Sequence, residues 1–336
     1  MTELRITPYA PEDDGDALLL EAQCFQGSSI QLKFHRPSFH ARSEIYDCSK
    51  IYCAKIGGRL IGIIAGAKKN VRLHGENIRA LYVYDLRVHP EFRKRGVGKK
   101  LSWALVDDLG KDADCLYTLI NGENEKALGL VCDYFEPKLV LPLTYLIFPV
   151  YKRLKGAGPG LPRSALEIHE SYLRHNPGVE FLPSFEEKKL KGYIASGSSE
   201  ESDSGCSIWT NENILAEQVV RIAFSFRLMR GLNAILRPFL KMPSIPRQNE
   251  IIRSWFLFDL YAQDKQSLRS LMASVNNFAL DQGRTYLYLL LGTNDPLLSW
   301  AKETGYRFFT FPYCFLAKGR VFPEEKDKIY IDIRDL

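Results

Sequence analysis

The sequence predicts an α/β fold of the α+β kind, built as two successive units of sheet covered by helices. Three observations carry that expectation. Apolar runs with strand alternation are interleaved with runs of helical spacing. One strand, ending at Val88, leads through the glycine turn Arg93-Lys94-Arg95-Gly96-Val97-Gly98 into a helix. The second half repeats the order of the first but lacks that turn.

The elements follow in chain order. Leu4 to Thr7 reads as a first strand, and Asp16 to Phe25 as a helix. Ile51 to Lys55 and Leu60 to Ala67 are strands joined at Gly57-Gly58, a hairpin signal. Arg79 to Val88 is a long strand, and Gly98 to Leu109 is a helix with Leu101, Ala104, Leu105 and Leu109 on one side. Leu116 to Ile120 is a strand, Glu125 to Asp133 a helix, and Leu139 to Val150 completes the first unit. Lys152 to Leu161 has little to bury, so the boundary falls there, giving units 1–155 and 156–336. Gly192 to Ser196 and Cys206 to Thr210 resemble a strand pair; the serine- and acid-rich Gly197 to Gly205 between them reads as a solvated loop.

Composition narrows the class. With 336 residues, 46% apolar and 25% charged, the chain suits a globular protein of two domains. The net charge of +5 is mild and locally concentrated in Arg93, Lys94, Arg95, Lys99 and Lys100. Such a block serves nucleic acid, membrane or a compact polyanion, and the glycines inside it favour the last. The seven cysteines are scattered without a CxxC pair and the start does not read as an export signal, so a cytoplasmic setting is expected. The six histidines form no metal-ligand pattern, so no metal is expected. Leu139 to Val150 is too short to span a bilayer, and no membrane partner is expected. Phe224, Phe226, Trp255, Phe256 and Phe258 read as core or interface of the second unit, not as a base-stacking surface, so no nucleic-acid partner is expected.

The internal echo is specific. Tyr82-Val83-Tyr84-Asp85-Leu86 matches Phe256-Leu257-Phe258-Asp259-Leu260, and Asn124 with its short helix matches Asn294. Where the first copy has its glycine turn, the second has Asp264-Lys265-Gln266-Ser267-Leu268, with no glycine and one cation. The second copy thus keeps the sheet and loses the anion cradle. It buries surface, shapes a substrate cleft or binds a partner.

The first turn suits a diphosphate. Four amides at a helix start lack an intrahelical acceptor, and the positive helix end favours an anion. Gly96 and Gly98 permit the turn and keep side chains out of the ligand's path. Arg93 can fork onto phosphate oxygens, and Arg95, Lys99 or Lys100 can reach a ribose phosphate. The spacing is neither a GxGxxG fingerprint nor a Walker loop. Coenzyme A is the leading ligand.

Leu86-Arg87-Val88-His89-Pro90-Glu91-Phe92-Arg93-Lys94-Arg95-Gly96-Val97-Gly98 resembles motif A of the GCN5-related N-acetyltransferases (GNAT). Arg93, Gly96 and Gly98 fill its defining places, and Asn124, Ala127 and Leu130 fit the later asparagine helix. Over the whole chain, Arg237 to Pro246 and the tail Ile329 to Leu336 resemble the Hookless-type acetyltransferases of plants, with a degenerate second GNAT-like unit. The resemblance implies tandem GNAT-like folds, each a mixed, mainly antiparallel sheet. It implies acetyl-CoA as donor, held by Leu86, Arg87 and Val88, by Arg93, Lys94, Arg95, Gly96, Val97, Gly98 and Lys99, and by Asn124. The strand of Leu86 to Val88 is then expected to splay from its neighbour and to bond the pantetheine arm.

The implied reaction is acetyl transfer to a primary amine, of a small molecule or of a protein or peptide, by direct attack in a ternary complex. Asp85 is the acidic candidate for catalysis: it binds the ammonium or passes its proton outward, or it makes a structural hydrogen bond, since Asp259 occurs at the same place in the copy without the cradle. Relatives in the family place a proton-donating tyrosine seven residues after the asparagine; that position is Val131 here, and Tyr134, one turn on, is the substitute. Gln26, Gln31, Lys33 and Arg36 fall where the family closes over its acceptor. The other reading is a weak or inactive acyl-CoA-binding regulatory protein. Acceptor and oligomeric state are left open.

Overall fold

The computed structural model describes residues 3–25, 27, 30–157, 164–184, 194–197, 204–240 and 242–336. Gln26, residues 158–163 of the boundary and residues 198–203 of the serine-rich loop lie outside the described residues.

The strands of the amino-terminal half are β1 (Leu4–Pro8), β2 (Ile30–His35), β3 (Cys48–Ile56), β4 (Arg59–Leu73), β5 (Glu76–Val88), β6 (Cys115–Asn121) and β7 (Leu139–Pro149). Its helices are α1 (Asp14–Glu21), α2 (Val97–Leu109) and α3 (Glu125–Phe135). The second half opens with α4 (Ala165–His175), followed by β8 (Val179–Glu180), β9 (Leu182–Pro183), β10 (Ile194–Gly197), β11 (Ser204–Trp209) and β12 (Ala216–Ile222). Then come α5 (Phe224–Leu240), β13 (Ile251–Ile252), β14 (Ser254–Ala262), α6 (Lys265–Asp281), β15 (Tyr286–Gly292), α7 (Pro296–Glu303), β16 (Phe309–Gly319) and β17 (Lys328–Ile329).

One twelve-stranded, mainly antiparallel sheet runs through both halves in the order β1-β3-β4-β5-β6-β16-β7-β15-β14-β11-β10, with β9 on β4. Its layers follow from sequence. In α2, Val97, Leu101, Leu105 and Leu109 are buried against Ile61, Ile64 and Leu81 on one sheet face, a stripe at helical spacing. In α6, Leu268, Leu271, Met272 and Val275 cover Trp255, Leu257 and Leu287 in the same way. The opposite face holds an aromatic core shared by both halves, including Tyr82, Tyr117, Phe256 and Tyr288.

The two copies bend alike. Between Ile63↔Arg87 and Ala65↔Tyr84, two residue steps on β4 face three on β5; Ser207↔Phe258 and Gly205↔Tyr261 do the same on β11 and β14. Each is a β-bulge, and each puts its aspartate at positive φ: 52° at Asp85 and 49° at Asp259. The extra residue resets the alternation of faces. Tyr82 and Tyr84 join the aromatic face while Leu86 and Val88 pack toward α2.

The strands also part where the family resemblance implied. β5 pairs in parallel with β6 only from Ala80↔Cys115 to Tyr82↔Tyr117, and the edge from Val83 to Val88 has no strand beyond it. β14 and β15 stop pairing at Leu257↔Leu289.

At the centre of the sheet the halves are interleaved. β16 lies between β6 and β7, and β7 pairs with β15 along its whole length. The strand read as completing the first unit therefore adds to the second, and the last long strand of the second covers the first. The boundary in sequence is not a boundary in the sheet. The terminal segment then returns to the amino-terminal half, where Asp335 accepts hydrogen bonds from Tyr117 at 2.7 Å and Tyr46 at 3.1 Å, and Lys69 pairs with both Asp332 and Asp335.

Candidate active site

The site begins at the turn before α2. His89 donates its backbone N–H to Ile61 and its ring Nδ1 accepts from Glu91, which fixes the short 3₁₀ turn Pro90–Phe92. The chain then uses left-handed backbone twice, at Lys94 (φ 61°) and Gly96 (φ 75°). Gly96 is the helix N-cap and has no side chain to bond the amides that follow. A Cβ built on it would meet nothing within 4 Å. No capping side chain occupies the first-turn amides of Val97, Gly98 and Lys99, which leaves that helix end without an anion of its own. At Gly98 a Cβ would sit 3.4 Å from Leu130, 3.8 Å from Leu86 and 3.9 Å from Val88, ordinary contact distances, so its backbone lies against α3 and β5.

The cations of the turn divide. Arg93 points inward, its Nε donating to the Val88 carbonyl at 3.1 Å and its Nη2 contacting Cys24 Sγ at 3.7 Å. Arg95 lies over Phe92, 5.4 Å from the ring centre. Lys99 Nζ is 4.6 Å from the ring centre of Trp103 and 5.1 Å from that of Tyr134. Tyr134, 42% exposed, thus stands beside the first turn of α2. Asn124 caps α3, its side chain accepting the Ala127 amide at 3.2 Å.

Asp85 is not free for proton transfer. It is buried and paired with Arg36 at 3.0 Å, Arg42 at 3.4 Å and Arg87 at 3.5 Å. Burial raises its pKa, but the three guanidinium groups outweigh it and hold the carboxyl well below the usual carboxylate range. Such a carboxylate is a weak proton acceptor at neutral pH. Glu21 joins the same cluster through Arg36 and through Arg87 at 3.2 Å. The side chain of Arg87 thus turns to this cluster and over Phe34, away from the turn, and only its backbone lies along the open edge of β5.

A residue that the sequence did not reveal lies across the cleft. β2, in the region expected to close over the acceptor, pairs with β12 of the second half, and Glu217 sits opposite Phe34. A small cleft is lined by Glu21, Cys24, Leu32, Lys33, Arg87 and Glu217. Burial raises the Glu217 pKa, opposed by one hydrogen bond from the Tyr288 hydroxyl at 2.7 Å. No cation among the described residues forms an ion pair with it. Two carboxylates in one neighbourhood are thereby pushed in opposite directions, Asp85 down and Glu217 up.

The matching helix start in the second half is built differently. α6 begins at Lys265, and the Asp264 side chain accepts the Ser267 amide at 2.8 Å. The helix start carries its own anion, where the first copy leaves the amides open. Asp259 is held by Tyr330 at 2.8 Å and His169 at 3.1 Å, a buried polar cluster. Among the described residues no group of His, Cys, Asp and Glu side chains converges as a metal site requires.

Residues 18–131, from α1 into α3, match the family model described as Acetyltransferase (GNAT) family. No curated protein sequence matches the chain. Among solved structures, the N-myristoyltransferase of Saccharomyces cerevisiae with bound myristoyl-CoA superposes with a TM-score of 0.63 at 8% identity, covering 95% of this chain and 79% of that one. A putative acetyltransferase from Pyrococcus horikoshii gives a TM-score of 0.55 at 12% identity over 97% and 92%. A protein described as a probable N-acyltransferase from Enterococcus faecalis gives 0.51 at 12% over 95% and 73%. The sheet with its two bulged strands thus shares the fold of these structures along nearly the whole chain, and residues 18–131 resemble a GNAT-family domain.

Proposed function

We propose that this protein is an acyl-CoA-dependent N-acyltransferase with acetyl-CoA as donor and a primary amine as acceptor. The observation that carries the proposal is the open first turn of α2, with Gly96 bare at its N-cap, next to the unpaired edge of β5. In this reading residues 1–155 hold the donor, and residues 156–336 are a second unit whose cradle is closed by Asp264. The amides of Val97, Gly98 and Lys99 hold the diphosphate, with Lys94, Arg95 and Lys99 supplying charge. Arg93 braces the turn against Val88, and the backbone of Leu86, Arg87 and Val88 aligns the pantetheine arm. Asn124 orients α3, which carries Tyr134 to the same end.

Glu217 is the proton acceptor for the amine. Its raised pKa and its place in the cleft support this, because a base works best when its pKa approaches the working pH. The neutral amine attacks the thioester carbonyl; a C–N bond forms, the C–S bond breaks, and the amine proton passes to Glu217. Tyr134 returns a proton to the departing sulfur. Asp85 positions Arg36, Arg42 and Arg87 around the acceptor. Calorimetric titration with acetyl-CoA, followed by thiol release over a panel of amines, tests the reading. Gly96→Val should weaken the donor more than tenfold, because β-branched side chains resist φ near +75°. Saturable donor binding without turnover on any amine selects the regulatory acyl-CoA-binding role, which Val131 favours. Donor binding unchanged in a folded Gly96→Val protein removes the site from this turn.

A further inference from the structure

α5 is amphipathic in the wrong direction for a helix that only packs on its own protein. Phe224 is 78% exposed, Leu228 61%, Leu232 56% and Ile235 68%, with Met229 and Leu236 beside them. These positions, spaced by three and four, form one continuous apolar stripe facing outward. The helix is anchored instead by polar and mixed contacts on its other side. Asn233, buried, donates to the Pro243 carbonyl at 3.0 Å; Arg227 donates to the Ile222 carbonyl at 3.1 Å; Phe226 packs on Val219, Ile222 and Ile252. Phe224, read from sequence as core or interface, therefore faces out. Six of the exposed large apolar residues of the molecule lie on this one helix. Such a concentration marks an interaction surface.

Charge identifies the occupant. Residues 218–249 contain Arg221, Arg227, Arg230, Arg237, Lys241 and Arg247 and no aspartate or glutamate. A 17-residue helix with an apolar stripe, in a segment whose sequence carries cations and no acid, matches an anionic bilayer surface, in which the stripe enters the acyl boundary and the cations meet headgroups. A second copy of the chain fits poorly, because a two-fold contact through α5 would set like charges against each other. No helix among the described residues is long and apolar enough to cross a membrane. The geometry points to α5 as an interfacial helix that lies in the plane of an anionic membrane. This goes against the expectation, drawn from sequence, of no membrane partner.

The full chain tests the assignment by co-sedimentation with vesicles of phosphatidylcholine, alone or mixed with phosphatidylserine. Mixed vesicles should bind at least about tenfold more tightly, and added salt should weaken binding. Phe224→Trp supplies a probe whose emission should shift to the blue on those vesicles. The double variant Leu228→Glu, Ile235→Glu, both at exposed positions, should lose binding at least about tenfold while keeping its thermal unfolding and its acetyl-CoA affinity. No binding to mixed vesicles overturns the inference. So does binding that the double variant leaves intact. Self-association of the parent chain abolished by the same variant, without vesicle binding, assigns the stripe to a second copy instead.

Discussion

Asp85→Asn separates structure from chemistry at the buried ion cluster. The substitution keeps the shape and removes one negative charge from a group that faces Arg36 at 3.0 Å, Arg42 at 3.4 Å and Arg87 at 3.5 Å. The five charges Glu21, Asp85, Arg36, Arg42 and Arg87 sum to +1; the variant leaves +2 in a nearly dry site. Removing one partner of a buried pair costs about 3–5 kcal/mol, and the shared cations place this case at the upper end. Urea unfolding at neutral pH should show that loss. The acid limb supplies a second check. The folded-state pKa of Asp85 lies below the unfolded value, about 3.9, so its stabilisation is fully present above that pH and is lost as pH falls from there through the folded value. Parent and variant should therefore begin to converge in stability below about pH 4. Donor affinity, measured by calorimetry, should change little. A variant as stable as the parent at neutral pH, yet inactive, would refute the structural role and return Asp85 to the chemistry.

Glu217→Gln should lower turnover at least about a hundredfold with donor affinity unchanged, and should remove the acidic limb of the turnover profile. Its pKa is raised on folding, so stability is lost as pH rises from the unfolded value through the folded one; the glutamine variant should be slightly more stable at neutral pH, and an activity loss with a stability loss would count against a base. Tyr134→Phe should reduce turnover without changing thermal unfolding, since the ring is 42% exposed and its contact with Lys99 survives; unchanged turnover would hand the proton to water. Residues 1–155 expressed alone should fail to unfold cooperatively, because β6 loses its pairing with β16 and Tyr117 loses Asp335; a monomeric fragment that binds acetyl-CoA would disprove this.

Local signals were legible where a single residue type decides the backbone. The Gly57-Gly58 hairpin and the turn before α2 follow from glycine and from alternation, while the parting of β5 from β6 was implied by the family resemblance. The echo of Tyr82–Leu86 in Phe256–Leu260 is matched by two bulges, and the sign was present in the sequence: alternation of aromatic residues breaks at each aspartate. What stayed hidden depends on distance along the chain. Nothing near Asp85 announces Arg36 or Arg42, and nothing near Glu217 announces Tyr288 or the pairing of β12 with β2. The interleaving of β7 and β16 is equally silent, because each strand has the same buried pattern whichever neighbour it takes.

That interleaving dictates an order of events at the ribosome. β6 emerges early and waits for a strand encoded almost two hundred residues later, at Phe309–Gly319. During that interval the nascent chain carries an open, apolar edge, a state prone to wrong pairings. The pairing of β6 with β16 must then close late, once Phe309–Gly319 has been made. Removing Asp332 and Asp335 would harm the amino-terminal half first, although they lie far from it in sequence.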